Sequence, residues 1–158
     1  MVHPLAPIVA SDARTLILGT MPSPASREAG FYYGNPRNRF WPVMAAILGT
    51  VDPGDVAGRT RLILGHRLAL WDVLASCTIV GASDSSIADP VANDIAGLLR
   101  RAPIERVFTT GATAYRLYER LCLPTTRLEA TRLPSTSPAN AAWSLERLTQ
   151  AYRVICTS

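Results

Sequence analysis

The chain has 158 residues, 48% of them hydrophobic and 18% charged, with a formal net charge of +4. That is one domain's length with enough apolar residues to bury a core, and it excludes a disordered chain, which is poor in apolar residues and rich in charge. All 16 basic residues are arginines. No lysine amine exists to form a Schiff base or to serve a Walker loop, so only the N-terminal amine could substitute.

Cysteine and histidine limit the chemistry further. Cys77, Cys122 and Cys156 are scattered and odd in number, so they imply no disulfide framework and read as buried, reduced and inert. The two histidines, His3 and His66, form no metal-binding spacing with them. A structural zinc or a four-cysteine iron–sulfur cluster is not expected, nor is any other cofactor. The longest apolar stretches fall short of the ~20 residues of a membrane span. The first residues lack a basic region and are broken by Pro4 and Pro7, so the expectation is no signal peptide and a cytoplasmic location.

In chain order, residues 15–20 (T-L-I-L-G-T) read as a buried strand. Residues 38–48 place Phe40, Trp41, Met44, Ile47 and Leu48 at helical spacing, with Gly49 as a stop. A second strand is predicted over 68–74 and an amphipathic helix over 91–101. A third strand over 104–110 passes through Gly111 into a helix over 112–121. A fourth strand over 127–133 and a helix over 141–155 complete the chain. The alternation argues for an α/β fold, a three-layer α/β/α sandwich with a central, mainly parallel, four-stranded sheet.

Such sheets bind ligands beyond the carboxyl ends of their strands. That rule selects four segments: 19–38, 76–87, 109–113 and 134–140. In the first, Gly19, Thr20, Met21, Pro22 and Ser23 follow the strand, and Phe31, Tyr32 and Tyr33 sit between two glycines. These rings are either a stacking platform for a planar ligand or anchors packed into the core. Asn38 opens a helix and reads as its cap. Arg37 and Arg39 flank it, either solvated or aimed at phosphates. Asp72 lies within the second strand, where a carboxylate needs partners and a structural hydrogen-bonding role is expected. Asp84 and Ser85 belong to a polar loop, readable as turn and capping chemistry. Gly111 opens a helix, which suits an anion weakly. Ser135, Thr136 and Ser137 stand between two prolines, and Asn140 reads as the cap of the last helix. No Ser-His-Asp set is visible, because both histidines lie outside all four segments.

Four words, L-I-L-G-T-M-P-S, Y-Y-G-N-P-R-N-R-F-W, L-W-D-V-L-A-S-C…G-A-S-D-S-S-I and L-P-S-T-S-P-A-N, occur in this order and cover most of the chain. Together they resemble the uracil-DNA glycosylase superfamily, and most nearly its family 6, the hypoxanthine-DNA (deoxyinosine) glycosylases. The N-P-x-N-R-F-W stretch also looks like the mismatch-specific uracil/thymine glycosylases. Those enzymes carry an asparagine in the first word where this chain has Met21. Families 4 and 5 carry an iron–sulfur cluster, which three cysteines forbid.

The family 6 resemblance implies that Asn38 is the catalytic asparagine and that Tyr33 is the ring beneath an extruded base. It implies that the 133–140 loop presses on the DNA minor groove. A base pocket of Gly19, Thr20, Met21, Pro22, Ser23, Tyr33 and Phe40 follows. So does a DNA-binding set of Arg37, Arg39, Asp84, Ser85, Gly111, Ser135, Thr136, Ser137 and Asn140.

The expected activity is monofunctional excision of a deaminated base from damaged DNA, hypoxanthine before uracil, by a monomer without metal, membrane or lyase chemistry. An amide suffices chemically, since it can hold water and bond the base at once. A mismatch-specific uracil/thymine glycosylase, a non-catalytic nucleic-acid-binding domain of the same fold, and a small-molecule domain with an anion site at Gly111 are the other readings.

Overall fold

The structure, a computed structural model, describes residues 1–79 and 87–157. Its centre is a four-stranded parallel sheet in the order β2-β1-β5-β6, with β1 at Thr15–Gly19, β2 at Leu68–Asp72, β5 at Arg106–Thr110 and β6 at Ala130–Leu133. Residues of β1 alternate between two cores. Ile17 faces α2 (Phe40–Ile47), α3 (Val56–Gly65) and α7 (Leu145–Tyr152). Leu16 and Leu18 face α4 (Ile95–Leu99) and α5 (Ala112–Leu121). These are the three layers expected, and every residue of β1 is buried, as a central parallel strand requires.

The expected strands and helices are present with shifted ends. The helix over 38–48 is Phe40–Ile47, the strand over 104–110 is Arg106–Thr110, and that over 127–133 is Ala130–Leu133. The strand over 68–74 ends at Asp72, because Val73 turns the chain into β3 (Leu74–Ile79). β3 pairs antiparallel with β4 (Ile87–Ala92), so Val91 and Ala92 belong to a hairpin, not to a helix over 91–101. Asn93 fixes this by donating its side-chain amide to the carbonyls of Asp72 (2.9 Å) and Leu74 (3.0 Å). The helix then starts where Asp94 accepts from the Gly97 N–H. The last helix begins at Leu145, capped by Ser144, so Asn140 is not its cap.

Three helices had no sequence forecast. In α1 (Pro24–Ala29) the Ser23 side chain caps the start, proline stands in the first turn and Gly30 closes the end in the left-handed region. In α3 the cap is Asp55. A four-residue helix, α6 (Leu123–Thr126), links α5 to β6.

The N-terminal segment runs along the sheet edge. Ile8 exchanges two backbone hydrogen bonds with Leu70 at 2.9 Å, which covers the free side of β2. Val2 bridges Ser76 on β3, and the N-terminal amine donates to the Cys77 carbonyl (2.8 Å).

β1 connects outward to β2 on one side and lies beside β5 on the other. A crevice opens where the strand order reverses, above the carboxyl ends.

Candidate active site

A cavity of about 230 Å³ occupies that crevice. Its walls come from the ends of all four parallel strands: Gly19, Thr20, Met21, Pro22 and Ser23 after β1, Asp72 on β2, Thr110 on β5, and Ser135, Thr136 and Ser137 after β6. Tyr33 and Asn38 complete it from the loop before α2.

Tyr33 holds φ at 53°, a left-handed backbone that non-glycine residues seldom adopt. Its ring explains why it persists. It lies face to face on Phe40, with centroids 3.8 Å apart and planes 9° from parallel. Its hydroxyl is 3.0 Å from the Thr110 hydroxyl, which in turn reaches the Leu18 carbonyl at 3.5 Å. Burial, reinforced by the nearby Asp72 carboxylate, pushes the phenol well above its ordinary pKa, so it stays an O–H. Phe40 itself is fully buried and off the cavity wall, so it backs the Tyr33 shelf instead of touching a ligand.

Asn38 is held through its oxygen. Oδ1 accepts from the Phe40 N–H (2.9 Å) and from the Thr136 hydroxyl (2.8 Å), but Asn38 is not the cap it reads as in sequence: the N-cap of α2 is Arg39, without a side-chain cap bond. A carbonyl oxygen has two lone pairs, so both are committed and the amide nitrogen is the end left to act. The sequence reading allowed donor and acceptor at once; the structure leaves the donor.

The loop after β6 is rigid for a reason that charge alone did not suggest. Arg39, expected on phosphate, turns inward and donates to the carbonyls of Ser137 (2.9 Å), Asn140 (3.0 Å) and Trp143. Its backbone N–H also donates to Thr136. Asn140 donates its side-chain amide to the Ser135 carbonyl (2.9 Å), and Tyr152 donates its hydroxyl to Pro134 (2.5 Å). Arg39 and Asn140 therefore brace the loop from behind. Ser135, Thr136 and Ser137 face the cavity.

Gly111 lies off the cavity wall, and its N–H donates to the Leu133 carbonyl (2.7 Å), so it is not open to an anion. At φ 95° it also lets Ser135 pack close, 3.3 Å from where a Cβ would sit. Arg37 remains exposed. Asp84 and Ser85 lie outside the described residues.

Arg27 on α1 and Thr110 on β5 line the cavity without having been foreseen there, as do Met1, Pro24, Ser26, Tyr32 and Asp72. His3 reaches Asp72 with Nε2 2.7 Å from Oδ2, although 69 residues separate them. Asp72 is 4% exposed, and burial raises its pKa while the His3 hydrogen bond and charge work against that rise. Cys156, expected to be buried, is exposed; Cys77 and Cys122 are buried. Among the described residues no group of three or more His, Cys, Asp or Glu side chains is placed to hold a metal ion, and no helix is long and apolar enough to cross a membrane.

The four-stranded parallel sheet, flanked by helices and with a crevice at its carboxyl ends, is a uracil-DNA-glycosylase-like fold. The family model of the uracil DNA glycosylase superfamily matches residues 6–156, and the chain belongs to that superfamily, as a DNA glycosylase that hydrolyses N-glycosyl bonds. A hypoxanthine DNA glycosylase of Methanosarcina acetivorans is 34% identical over 142 residues, 89% of each chain. One of Methanosarcina barkeri is 30% identical over 98 residues, 61% of this chain and 62% of its own. A solution NMR structure from Methanosarcina acetivorans, determined for a candidate uracil DNA glycosylase, matches with TM-score 0.79 at 30% identity, covering 99% of this chain and 100% of that one.

Proposed function

We propose that the chain excises hypoxanthine, and more weakly uracil, from DNA, leaving an abasic site without cutting the strand. The observation that carries this reading is the pairing of one free amide nitrogen, on Asn38, with one free ring face, on Tyr33, in a cavity at the sheet's carboxyl end.

The target nucleotide leaves the helix and its base enters the cavity. Phe40 covers one face of Tyr33, so the base stacks on the other. Stacking of this kind contributes roughly 1–3 kcal/mol. As the glycosidic bond breaks, its electron pair moves onto the base and the sugar becomes cationic. Backbone N–H groups along 19–23 and the Asn38 amide N–H answer the charge on the base. Water adds to the sugar carbon and loses its proton to solvent. A cationic sugar needs no strong base to draw water, so a donor-only Asn38 is chemically sufficient. The absence of lysine leaves no side-chain amine for strand cleavage through a Schiff base.

On the DNA side, Arg37, exposed and next to Asn38 in the chain, is the cation offered to a phosphate. The braced loop carrying Ser135, Thr136 and Ser137 offers short hydroxyls to the backbone. The names of two relatives favour hypoxanthine.

The test uses duplexes with a single inosine, uracil or mismatched thymine, incubated with the protein and then with alkali. Alkali-dependent cleavage at inosine, fastest of the three, is expected. Cleavage at none would favour the non-catalytic binding domain.

A further inference from the structure

We propose that the open cavity at the amino ends of the strands is a second binding site, for a small organic phosphate of mononucleotide size. The observation behind it is the meeting of Arg14, Arg67 and Arg106 on one partly apolar cavity. That cavity holds about 630 Å³, against about 230 Å³ for the catalytic one. Small-molecule sites span roughly 300–1,000 Å³. Arg14 precedes β1, Arg67 precedes β2 and Arg106 opens β5. The strands, roughly 15 Å long, therefore separate this cavity from the crevice at their carboxyl ends.

Backbone pairing brings the three arginines together. The Arg67 carbonyl accepts from the Arg14 N–H (2.8 Å) and the Thr15 N–H (3.3 Å). The Arg14 carbonyl accepts from the Glu105 N–H (2.9 Å) and the Arg106 N–H (3.3 Å). Their charge is weakly answered within the protein. Arg14 Nη1 is 3.5 Å from Glu105 Oε1, and Arg67 Nε is 4.0 Å from Asp12 Oδ2, with all four side chains more than half exposed. Exposed pairs of this kind contribute little and yield to a better anion. Arg106 donates to the carbonyls of Val154 (3.1 Å) and Ile155 (2.5 Å), which are neutral and leave its charge in place. Those bonds also fix the last helical turn, Arg153–Cys156, as one wall. Arg67 carries a second sign. It holds φ at 57°, a left-handed backbone where glycine sits with less strain. A guanidinium kept at a strained position on a cavity wall is accounted for by what its side chain binds.

The occupant follows from charge and shape. Guanidinium groups bind phosphate oxygens through paired N–H donors. Leu48, Leu68 and Ile155 give the same cavity an apolar lining, which suits an organic body attached to the phosphate. A concave site of this volume admits a mononucleotide and not a duplex.

Cys156 supplies a local readout. It lines the cavity and is exposed, whereas Cys77 and Cys122 are buried. A bound ligand covers the thiol. An anion there also cancels the pull of Arg106 and Arg153, which works against the rise that burial imposes on the thiol pKa. Both effects slow alkylation.

The test alkylates the full chain with iodoacetamide at fixed pH and low salt and follows the Cys156 adduct by peptide mass analysis. The probes are deoxyadenosine monophosphate, deoxyadenosine, inorganic phosphate and an undamaged duplex. The mononucleotide should slow alkylation several-fold, deoxyadenosine should not, and inorganic phosphate should need about tenfold more for the same protection. Arg67→Gly should melt at or above the wild type, because the backbone strain is relieved, yet need about tenfold more mononucleotide. Its excision from an inosine duplex should be unchanged. No protection by the mononucleotide overturns the proposal, as does protection that Arg67→Gly leaves intact. Equal protection by inorganic phosphate at the same concentration overturns the organic ligand. Stronger protection by the duplex assigns this face to DNA and overturns the small-molecule site. Alkylation of Cys156 needs no excision, so failure of the glycosylase reading leaves this test standing.

Discussion

Asn38→Asp and Asn38→Ala separate the structural from the chemical work of one side chain. The oxygen of Asn38 serves the Phe40 N–H at 2.9 Å and the Thr136 hydroxyl at 2.8 Å. Alanine leaves both donors without a partner, at about 1–3 kcal/mol each where water does not replace it. For a chain of this size 1 kcal/mol moves the melting temperature by roughly 2–4 °C, so Asn38→Ala should melt several degrees lower. Aspartate keeps both acceptor bonds and sits favourably at the start of α2, so Asn38→Asp should melt within a few degrees of the wild type. It has no N–H to give. Loss of one donor aimed at developing charge costs roughly 10²–10³ in rate, and both variants should show that loss in single-turnover excision of hypoxanthine. Differential scanning fluorimetry and the excision assay together read the two effects. An Asn38→Asp enzyme as fast as the wild type, or faster, would mean that the oxygen does the chemistry as a water-activating acceptor. That result would refute the donor role.

Four further expectations follow from the same geometry. Arg39→Ala should lower the melting temperature and excision together while leaving the salt dependence of DNA binding unchanged. Arg37→Ala should leave melting alone and reduce the log–log salt slope by about 0.9, one phosphate contact. Tyr33→Phe should keep excision within a few-fold of wild type, because the ring remains, whereas Tyr33→Leu should lose roughly 5- to 150-fold, the equivalent of about 1–3 kcal/mol of stacking. Asp72→Asn should match or exceed the wild type in melting temperature at pH 8. Burial raises the folded-state pKa of Asp72, so its ionisation costs stability as pH rises through that value. The difference should vanish at acid pH, where Asp72 is protonated in both folded and unfolded chains.

What the sequence made legible follows from distance along the chain. Residues 15–20, 68–74 and 104–110 hold short apolar runs, so the strands could be read directly, although two of them are shorter, Leu68–Asp72 and Arg106–Thr110. Tyr33 and Asn38 lie five residues apart in one loop; the residues alone offered one of three possible stacking rings and a helix cap, the family resemblance singled out these two, and both line one cavity. Asp72 was visible as a carboxylate inside a strand, but its partner was not: His3 reaches it through an N-terminal segment whose pairing with Leu70 and Ser76 leaves no local periodicity. Charge was misleading at Arg39, because three backbone carbonyls of a loop about a hundred residues away attract the guanidinium inward more effectively than solvent does. Val91 and Ala92 were misplaced for a related reason. Helical spacing of Ile95, Leu98 and Leu99 was extended backward past Asp94, whose cap begins the helix.

The most direct measurement of the central claim is a crystal structure of Asn38→Asp bound to a duplex containing one inosine. The account predicts the hypoxanthine ring parallel to Tyr33 on the face away from Phe40, with its sugar beside residue 38. A flipped base lodged outside this cavity, or a duplex bound with its inosine still stacked in the helix, would contradict it.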